Sequence, residues 1–200
     1  MVVLAVFVGL LYWQSLKNEP QYALASIVDA ARRNDEAALN ELVDSDAVVD
    51  SFVPQVTKKA VDIYGRGMAP GLIRKIAIAS APFIPGLKGV VRSELPKLIR
   101  RETERVGDVS FPLMVVGAPR YLDILIDGDI ANVKSTNPNH QTEVIMMRSE
   151  EGKWRVIGVR DEKMATQIAQ RVGQEIIGMA DGSKDASIDE LIKQIEKVIQ

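Results

Sequence analysis

The stretch YLDILIDGDIANVKS, residues 121–135, decides the fold that this sequence predicts. Two apolar-rich runs of strand length flank the turn Asp-Gly-Asp at 127–129, and Asp-Gly between such runs is a strong short-range signal for a β-hairpin. TEVIMMRS at 142–149 and WRVIGV at 154–159 repeat the layout around a second polar turn. Because a short turn joins antiparallel strands, the chain is predicted to form an antiparallel sheet.

A further strand candidate precedes these hairpins. After Gly107 the apolar pattern changes from helical to extended spacing, and SFPLMVV at 110–116 is the first extended run. Pro112 has no backbone N–H to donate, which predicts a strand at an edge of the sheet or one with a bulge. Together these segments predict four or five strands.

Helices are predicted before the sheet. Asn18 and Pro20 favour a helix start, because Asn is a good N-cap and Pro is tolerated in the first turn. Polar residues at 34–35 and 44–46 start two further helices, the second of which is expected to bend at Pro54.

Later helices follow similar signals. Ser93 is predicted to cap a helix within the segment 65–105, and Asp161 is predicted to cap one directly after the sheet. A capping box at 187–190 starts a final amphipathic helix over 188–200. That helix is expected to dock on its own domain, on a protein partner or on a second copy of itself.

These elements predict an α+β fold with N-terminal helices packed on a curved antiparallel sheet of four to five strands, plus C-terminal helices. Three regions follow along the chain. Residues 1–17 form an N-terminal transmembrane anchor, 18–160 form the α+β domain with a basic, Gly/Pro-rich helical insert at 65–105, and 161–200 form a helical extension.

The predicted anchor is the opening run MVVLAVFVGLLYW, which has no charged residue before Lys17. As a helix, residues 1–16 would span about 24 Å, slightly less than a hydrocarbon core of about 30 Å. Tyr12 and Trp13 suit the lipid–water boundary at its end. A cleaved signal peptide is not favoured, because the run has neither the basic region nor the cleavage site of such a signal. A buried first helix is not favoured either, because it would be apolar on one stripe only, and this run is apolar on every face. We therefore expect a single-pass membrane protein whose body is extracytoplasmic.

Composition excludes several classes of site. The chain has no cysteine, so it forms no disulfide, thiol nucleophile or Cys-ligated metal centre. Its one histidine, His140, lies in a turn-rich loop and is expected to be an exposed loop residue. With a formal net charge of −2, the chain gives no reason to expect nucleic acid. No metal and no cofactor are predicted.

Helices followed by antiparallel strands that end in Gly152-Lys153-Trp154-Arg155-Val156 resemble the cone-shaped nuclear transport factor 2-like (cystatin-like) fold. PQYALASIVDAARRNDEAALNELVD at 20–44, together with DGDIANVKS and GKWRVIGV, further resembles a bacterial domain-of-unknown-function family. The likeness spans roughly residues 19–160. It implies this fold and a preceding membrane anchor, and it brings no assigned activity.

Enzymes on the resembled fold place an acid–base pair in the pocket between helix and sheet. The corresponding ligand-pocket candidates here are Tyr22, Tyr64, Tyr121 and Asp123. Their spacing is not diagnostic, and the alternation of Asp123 with Leu122 and Ile124 more simply places Asp123 on the solvent face of a strand. No catalytic motif is present, so we expect no enzyme.

A basic, apolar segment supplies the candidates for lipid contact. Arg74, Lys75, Lys88 and Arg92 interrupt apolar sequence, and such segments bind anionic headgroups. The alternatives are that the apolar residues complete the core and the bases form a solvated rim, or that the bases pair with the acidic first helices.

The sequence thus predicts a membrane-tethered, extracytoplasmic binding or scaffolding domain without catalytic activity. Two alternatives stay open. One is a small-molecule isomerase or dehydratase-like enzyme on the same fold, and the other is a protein that binds anionic lipid surfaces. The expected partners are the membrane, through the N-terminal helix, and a protein or second copy, through 188–200.

Overall fold

The computed structural model describes residues 11–64, 84–104, 107–139 and 141–170, together with residues 71, 74 and 78. The helices are α1 (Pro20–Arg32), α2 (Glu36–Leu42), α3 (Ser45–Tyr64), α4 (Ile84–Glu104) and α5 (Phe111–Gly117), and the strands are β1 (Leu122–Asp127), β2 (Ile130–Ser135), β3 (Glu143–Arg148) and β4 (Trp154–Arg160). Residues 11–16 and 162–170 are also helical.

The predicted antiparallel sheet is confirmed. Its four strands follow the order β1-β2-β3-β4, so each strand lies beside its neighbour in sequence. Leu122 pairs with Ser135 across the first hairpin, and Ala131 pairs with Met146 between β2 and β3. Gly128 has φ of 59°, a conformation that costs glycine little and that the tight turn requires. The α+β class is therefore confirmed.

The strand predicted at 110–116 is wrong, because these residues form helix α5. Ser110 is extended, with φ of −67° and ψ of 149°, and Pro112 lies in the first turn. Proline suits that position, since its fixed φ is helical and its missing N–H has no intrahelical acceptor there. A short apolar run fits a buried strand and a helix equally well, so its periodicity was not decisive.

The helix start predicted at Ser93 is also wrong. Helix α4 begins at Ile84, so Ser93 lies in its interior, as does Pro96. An interior proline costs about 3 kcal/mol in an isolated helix. The neighbouring side chains of Leu95, Leu98 and Ile99 are half-buried, and such packing outweighs local propensity.

Other helix starts agree more closely with the sequence. Asp35 accepts a hydrogen bond from the Ala38 amide at 3.0 Å, and Asp161 accepts one from the Met164 amide at 2.8 Å. Both carboxylates are therefore the predicted N-caps. Helix α1 begins at Pro20, but its N-cap is Glu19 rather than Asn18, and no side chain caps it.

The described residues divide into two compact units. The first runs through Asp44 and resumes at Ile99–Ile157, and the second comprises Ser45–Leu98 and continues from Gly158. In the first unit, α1 packs against α2 and α5 through buried residues that are mostly alanine. Val43 forms a parallel bridge with Val156, which joins the end of α2 to β4.

The second unit is held by polar contacts from one side of α3. The Gln55 amide nitrogen donates to the Val159 carbonyl at 2.6 Å, and the Val159 amide donates to the Ser51 hydroxyl at 3.2 Å. Lys59 pairs with Glu162 one turn further along. The hydrogen bond and the charge of Lys59 hold the pKa of Glu162 below its ordinary value.

Several predictions fall outside the described residues. These are residues 1–10 of the predicted anchor, most of the insert between residues 65 and 83, His140, and residues 171–200 with the final amphipathic helix. Within the described part of the chain, no helix has both the length and the apolar character needed to cross a bilayer. The predicted domain boundaries stay predictions.

Candidate functional site

The strongest candidate site is the junction where the opening stretch, which is residues 1–16, joins the first unit. We define the junction as helical residues 11–16, the first turns of α1, and α5. Three aromatic rings meet edge to face in it. The centroid of Tyr22 lies 5.2 Å from that of Phe111, and Trp13 lies 6.4 Å from each of them. Edge-to-face pairs at such distances stabilise beyond the area that they bury.

Beneath the rings lies a small apolar core. Leu16, Ala25 and Val115 are buried together, with Leu16 only 7% exposed and Val115 fully buried. One residue comes from each part of the junction: Leu16 from the opening stretch, Ala25 from α1 and Val115 from α5. The end of the opening stretch is therefore part of the hydrophobic core of the first unit.

A turn of three residues connects the opening helix to α1. The Glu19 amide donates to the Leu16 carbonyl at 3.1 Å, and the Asn18 amide donates to the Ser15 carbonyl at 3.2 Å. The indole nitrogen of Trp154, on β4, donates to the Asn18 carbonyl at 2.8 Å. The exit from the opening stretch is thus tied to both α1 and the sheet, and no flexible spacer separates them.

Arg32 positions α5 in the junction. From the last turn of α1, its guanidinium donates to the Val109 carbonyl at 2.7 Å and also to the Gly107 carbonyl. Gly107 has a φ of 68°, which is accessible to glycine and lets the chain turn into α5. Charge-assisted hydrogen bonds of this kind are stronger than neutral ones, so the loop before α5 is held firmly.

The first unit covers only part of the opening helix. Trp13 and Leu16, three residues apart, face the core, as the helical period requires. Leu11, on the opposite side of the helix, is 56% exposed, and Tyr12, on the same side as Leu16 but one turn nearer the N-terminus, is 57% exposed. The first unit therefore covers Trp13 and Leu16 at the end of this helix and leaves the apolar residues before them exposed.

The structure gives the four predicted pocket residues different surroundings. Tyr22 lies in the aromatic cluster of the junction. Tyr121 and Asp123 are exposed at β1, an edge strand of the sheet. Tyr64 belongs to the second unit, where its hydroxyl donates to the Gln170 carbonyl at 2.8 Å. A pocket built from these residues stays a prediction.

The predicted lipid-contact residues are described only in part. Arg74 is exposed. Lys88 and Arg92 lie within α4, while Lys75 lies outside the described residues. Among the His, Asp and Glu residues that the structure describes, no three are grouped so that they could hold a metal ion.

The sequence pattern does not identify Leu16, Phe111 and Val115 as site residues. The sequence pattern assigns Leu16 to the predicted anchor at residues 1–17 and the other two residues to a strand. The signal available was the position of Pro112, which fits the first turn of a helix as well as an edge strand. The pattern indicates Tyr12 and Trp13 only as residues at a membrane boundary.

Comparison with known proteins is informative for the first part of the chain alone. Residues 5–87 match the model of a family described as a protein of unknown function, DUF2939. The matched region includes most of the opening stretch, α1, α2 and α3, and it ends before the sheet. No curated protein and no solved structure matches the chain. The likeness to a domain-of-unknown-function family is thus supported for this region, and the nuclear transport factor 2-like fold stays a prediction.

Proposed function

We propose that this chain is a membrane-tethered binding or scaffolding domain, anchored by its opening stretch, with its body on the extracytoplasmic side. The observation that carries the proposal is the exposure of the apolar residues at the start of the opening helix. Leu16 lies in the core of the first unit, while Leu11 and Tyr12, one turn earlier, are more than half exposed. The apolar stretch thus leaves the folded unit through apolar residues that the unit does not cover.

A buried first helix is the main alternative for this stretch. Such a helix would cover its apolar residues on all sides, since large side chains gain about 1.5–3 kcal/mol when they are fully buried. The exposure of Leu11 and Tyr12 argues against a buried helix, because the first unit covers Trp13 and Leu16 but not these two residues before them. The run from Met1 to Leu10 contains no charge. Lipid is the solvent that suits such a sequence.

The rigid exit from the opening stretch supports a scaffolding role. A three-residue turn and the Trp154–Asn18 hydrogen bond fix the direction in which the chain leaves the first unit. A domain connected in this way presents the same surface to its surroundings whenever its anchor is in the bilayer. A domain on a long polar linker would rotate freely.

A binding role is favoured over the enzyme alternative by the positions of Tyr121 and Asp123. A general base for an enolising substrate needs a site that is shielded from water, where its pKa is raised. Both residues are exposed at the edge strand. Neither position supplies that shielding within the first unit.

Alkaline carbonate extraction of membranes tests the proposal. The full chain is compared with a variant lacking residues 1–10, which keeps Trp13 and Leu16 in the junction core. Protease is added to intact spheroplasts to test the side on which the body lies. We expect the full chain to stay with the membrane pellet, the shortened chain to be released, and the body to be cleaved from outside.

Release of both chains would refute the anchor. Retention of the full chain with a body protected from external protease would keep the anchor and reverse its orientation. Circular dichroism of the shortened chain is the control, because a misfolded protein that aggregates would also be found in the pellet.

A further inference from the structure

We propose that helix α5 is a second membrane contact, which lies in the interface plane beside the anchor with its outer face toward the lipid. This inference rests on the proposed function. In this position, Pro112, Leu113 and Val116 contact the boundary between headgroups and acyl chains.

The first observation is that α5 is apolar on both sides. Phe111, Met114 and Val115 face the junction core. Pro112, Leu113 and Val116 lie on the opposite side of the helix and are exposed, with Leu113 at 65% and Val116 at 54%. A surface helix of a protein in water normally carries polar residues on its outer side. This helix carries none there.

The second observation is the place of α5 beside the opening stretch. Val115 shares a buried cluster with Leu16, and the ring of Phe111 contacts that of Trp13. Helix α5 is thus a direct neighbour of the last turn before Lys17. If the residues before Trp13 are in the bilayer, α5 lies at the depth where the chain leaves it.

The third observation is the distribution of charge. No charged residue occurs between Asp108 and Arg120. Arg120, just after α5, and Lys17, just after the opening helix, are both exposed basic residues. Cations at such positions suit phosphate-containing headgroups. An apolar outer face with these bases beside it suits the interface, where the apolar side of a bound helix enters the bilayer by about 5–10 Å; in α5 the folded unit covers the other side.

A protein partner is the competing occupant for the same face. The contact with the opening stretch favours lipid, because any partner on α5 would have to fit beside the anchor at the membrane surface. The bilayer is therefore the proposed occupant of this face, and the experiment below distinguishes it from a protein.

The absence of cysteine from the chain permits a direct test. Leu113→Cys in the full chain carries an environment-sensitive nitrobenzoxadiazole dye. The matched control is Leu125→Cys on β1, since Leu125 is 60% exposed and Leu113 is 65% exposed. Each labelled protein is reconstituted in vesicles of phosphatidylcholine with phosphatidylglycerol. Emission and quenching by iodide are then measured, and co-flotation confirms binding.

With vesicles, we expect the dye at residue 113 to shift its emission to the blue and to show a several-fold lower iodide quenching constant. The dye at residue 125 should stay accessible. Equal accessibility of the two dyes in protein that floats would overturn the contact of α5 and leave the anchor standing. Protein that fails to float would overturn the anchor and this inference together. Shielding of residue 113 without vesicles would assign the face to a protein contact and overturn its assignment to lipid.

Discussion

The junction and the sheet both expose large apolar side chains, but they surround them differently. On the sheet, Leu125 and Ile126 of β1 lie in a strand that also carries Asp123 and Asp127. Asp123 lies opposite Lys134 in the register. In the junction, the run through α5 has no charge. Exposed apolar residues interrupted by charges are ordinary protein surface, whereas an uninterrupted group is the pattern on which we base the proposed contact with lipid.

The sharpest contrast is between neighbouring positions in α5. Val115→Asp places a carboxylate in the fully buried core beside Leu16, and an unpaired buried charge costs roughly 3–5 kcal/mol. Val116→Asp places the same group on the side that the first unit does not cover, where it should lower the free energy of unfolding clearly less than Val115→Asp does. Urea denaturation in a mild detergent measures both. Equal destabilisation by the two variants would show that the two sides of α5 are buried to the same degree.

Two leucines of the opening stretch provide a second matched pair. Leu16→Ala should destabilise the protein by about 2–5 kcal/mol, the range found for buried leucines. Leu11→Ala should cost less than about 0.5 kcal/mol in detergent, because Leu11 is exposed. The same denaturation experiment measures the difference. A large loss at Leu11 would mean that the opening stretch is buried on both sides, contrary to the proposed anchor.

A smaller effect is expected for the aromatic contact between Tyr22 and Phe111, at 5.2 Å. A double-mutant cycle with Tyr22→Leu and Phe111→Leu should give a coupling free energy of about 0.5–1.5 kcal/mol. Leu125→Ala combined with Phe111→Leu is the control, and this pair should be additive. If the effects of Tyr22→Leu and Phe111→Leu were additive, the contact between the two rings would not stabilise the junction.

The smallest effect belongs to the exposed ion pair of Lys59 and Glu162 in the second unit. Lys59 lowers the pKa of Glu162, so the pair stabilises the fold above the unfolded pKa and loses this contribution as pH falls through the folded pKa. Lys59→Met should raise the pKa of Glu162 toward its ordinary value. Carboxyl chemical shifts followed by NMR from neutral to acid pH measure the change. An unchanged pKa would show that the pair is not formed in solution.

Reasoning from sequence succeeded where short-range turn chemistry determines the structure. Asp127-Gly128-Asp129 predicts a hairpin because glycine at position 128 adopts the positive φ that the turn needs. Asp35 and Asp161 cap their helices because a carboxylate satisfies free backbone amides. Each of these signals acts within a few residues, so the sequence alone contains it.

The same reasoning failed where distant contacts decide. The residues Phe111–Gly117 are apolar on both sides, so no period distinguishes a strand from a helix. The helix is held by Arg32 and by the rings of Trp13 and Tyr22, far away in sequence. Burial of Leu16 could not be predicted either, since an anchor and a core use the same residue types. The junction was therefore not visible as a site before the fold was known.

The most direct test of the junction is the depth of Trp13 in a bilayer. The chain has two tryptophans, and Trp154 donates the hydrogen bond to Asn18 that fixes the exit, so Trp154 is kept and the signal of Trp13 is taken as the difference between the full chain and its Trp13→Phe variant. The full chain is placed in vesicles whose lipids carry bromine either near the headgroup or deep in the acyl chain. An anchor that enters the first unit directly predicts strong quenching of Trp13 by shallow bromine and weaker quenching by deep bromine. Protein that floats with its Trp13 unquenched at either depth would contradict the direct connection between bilayer and domain.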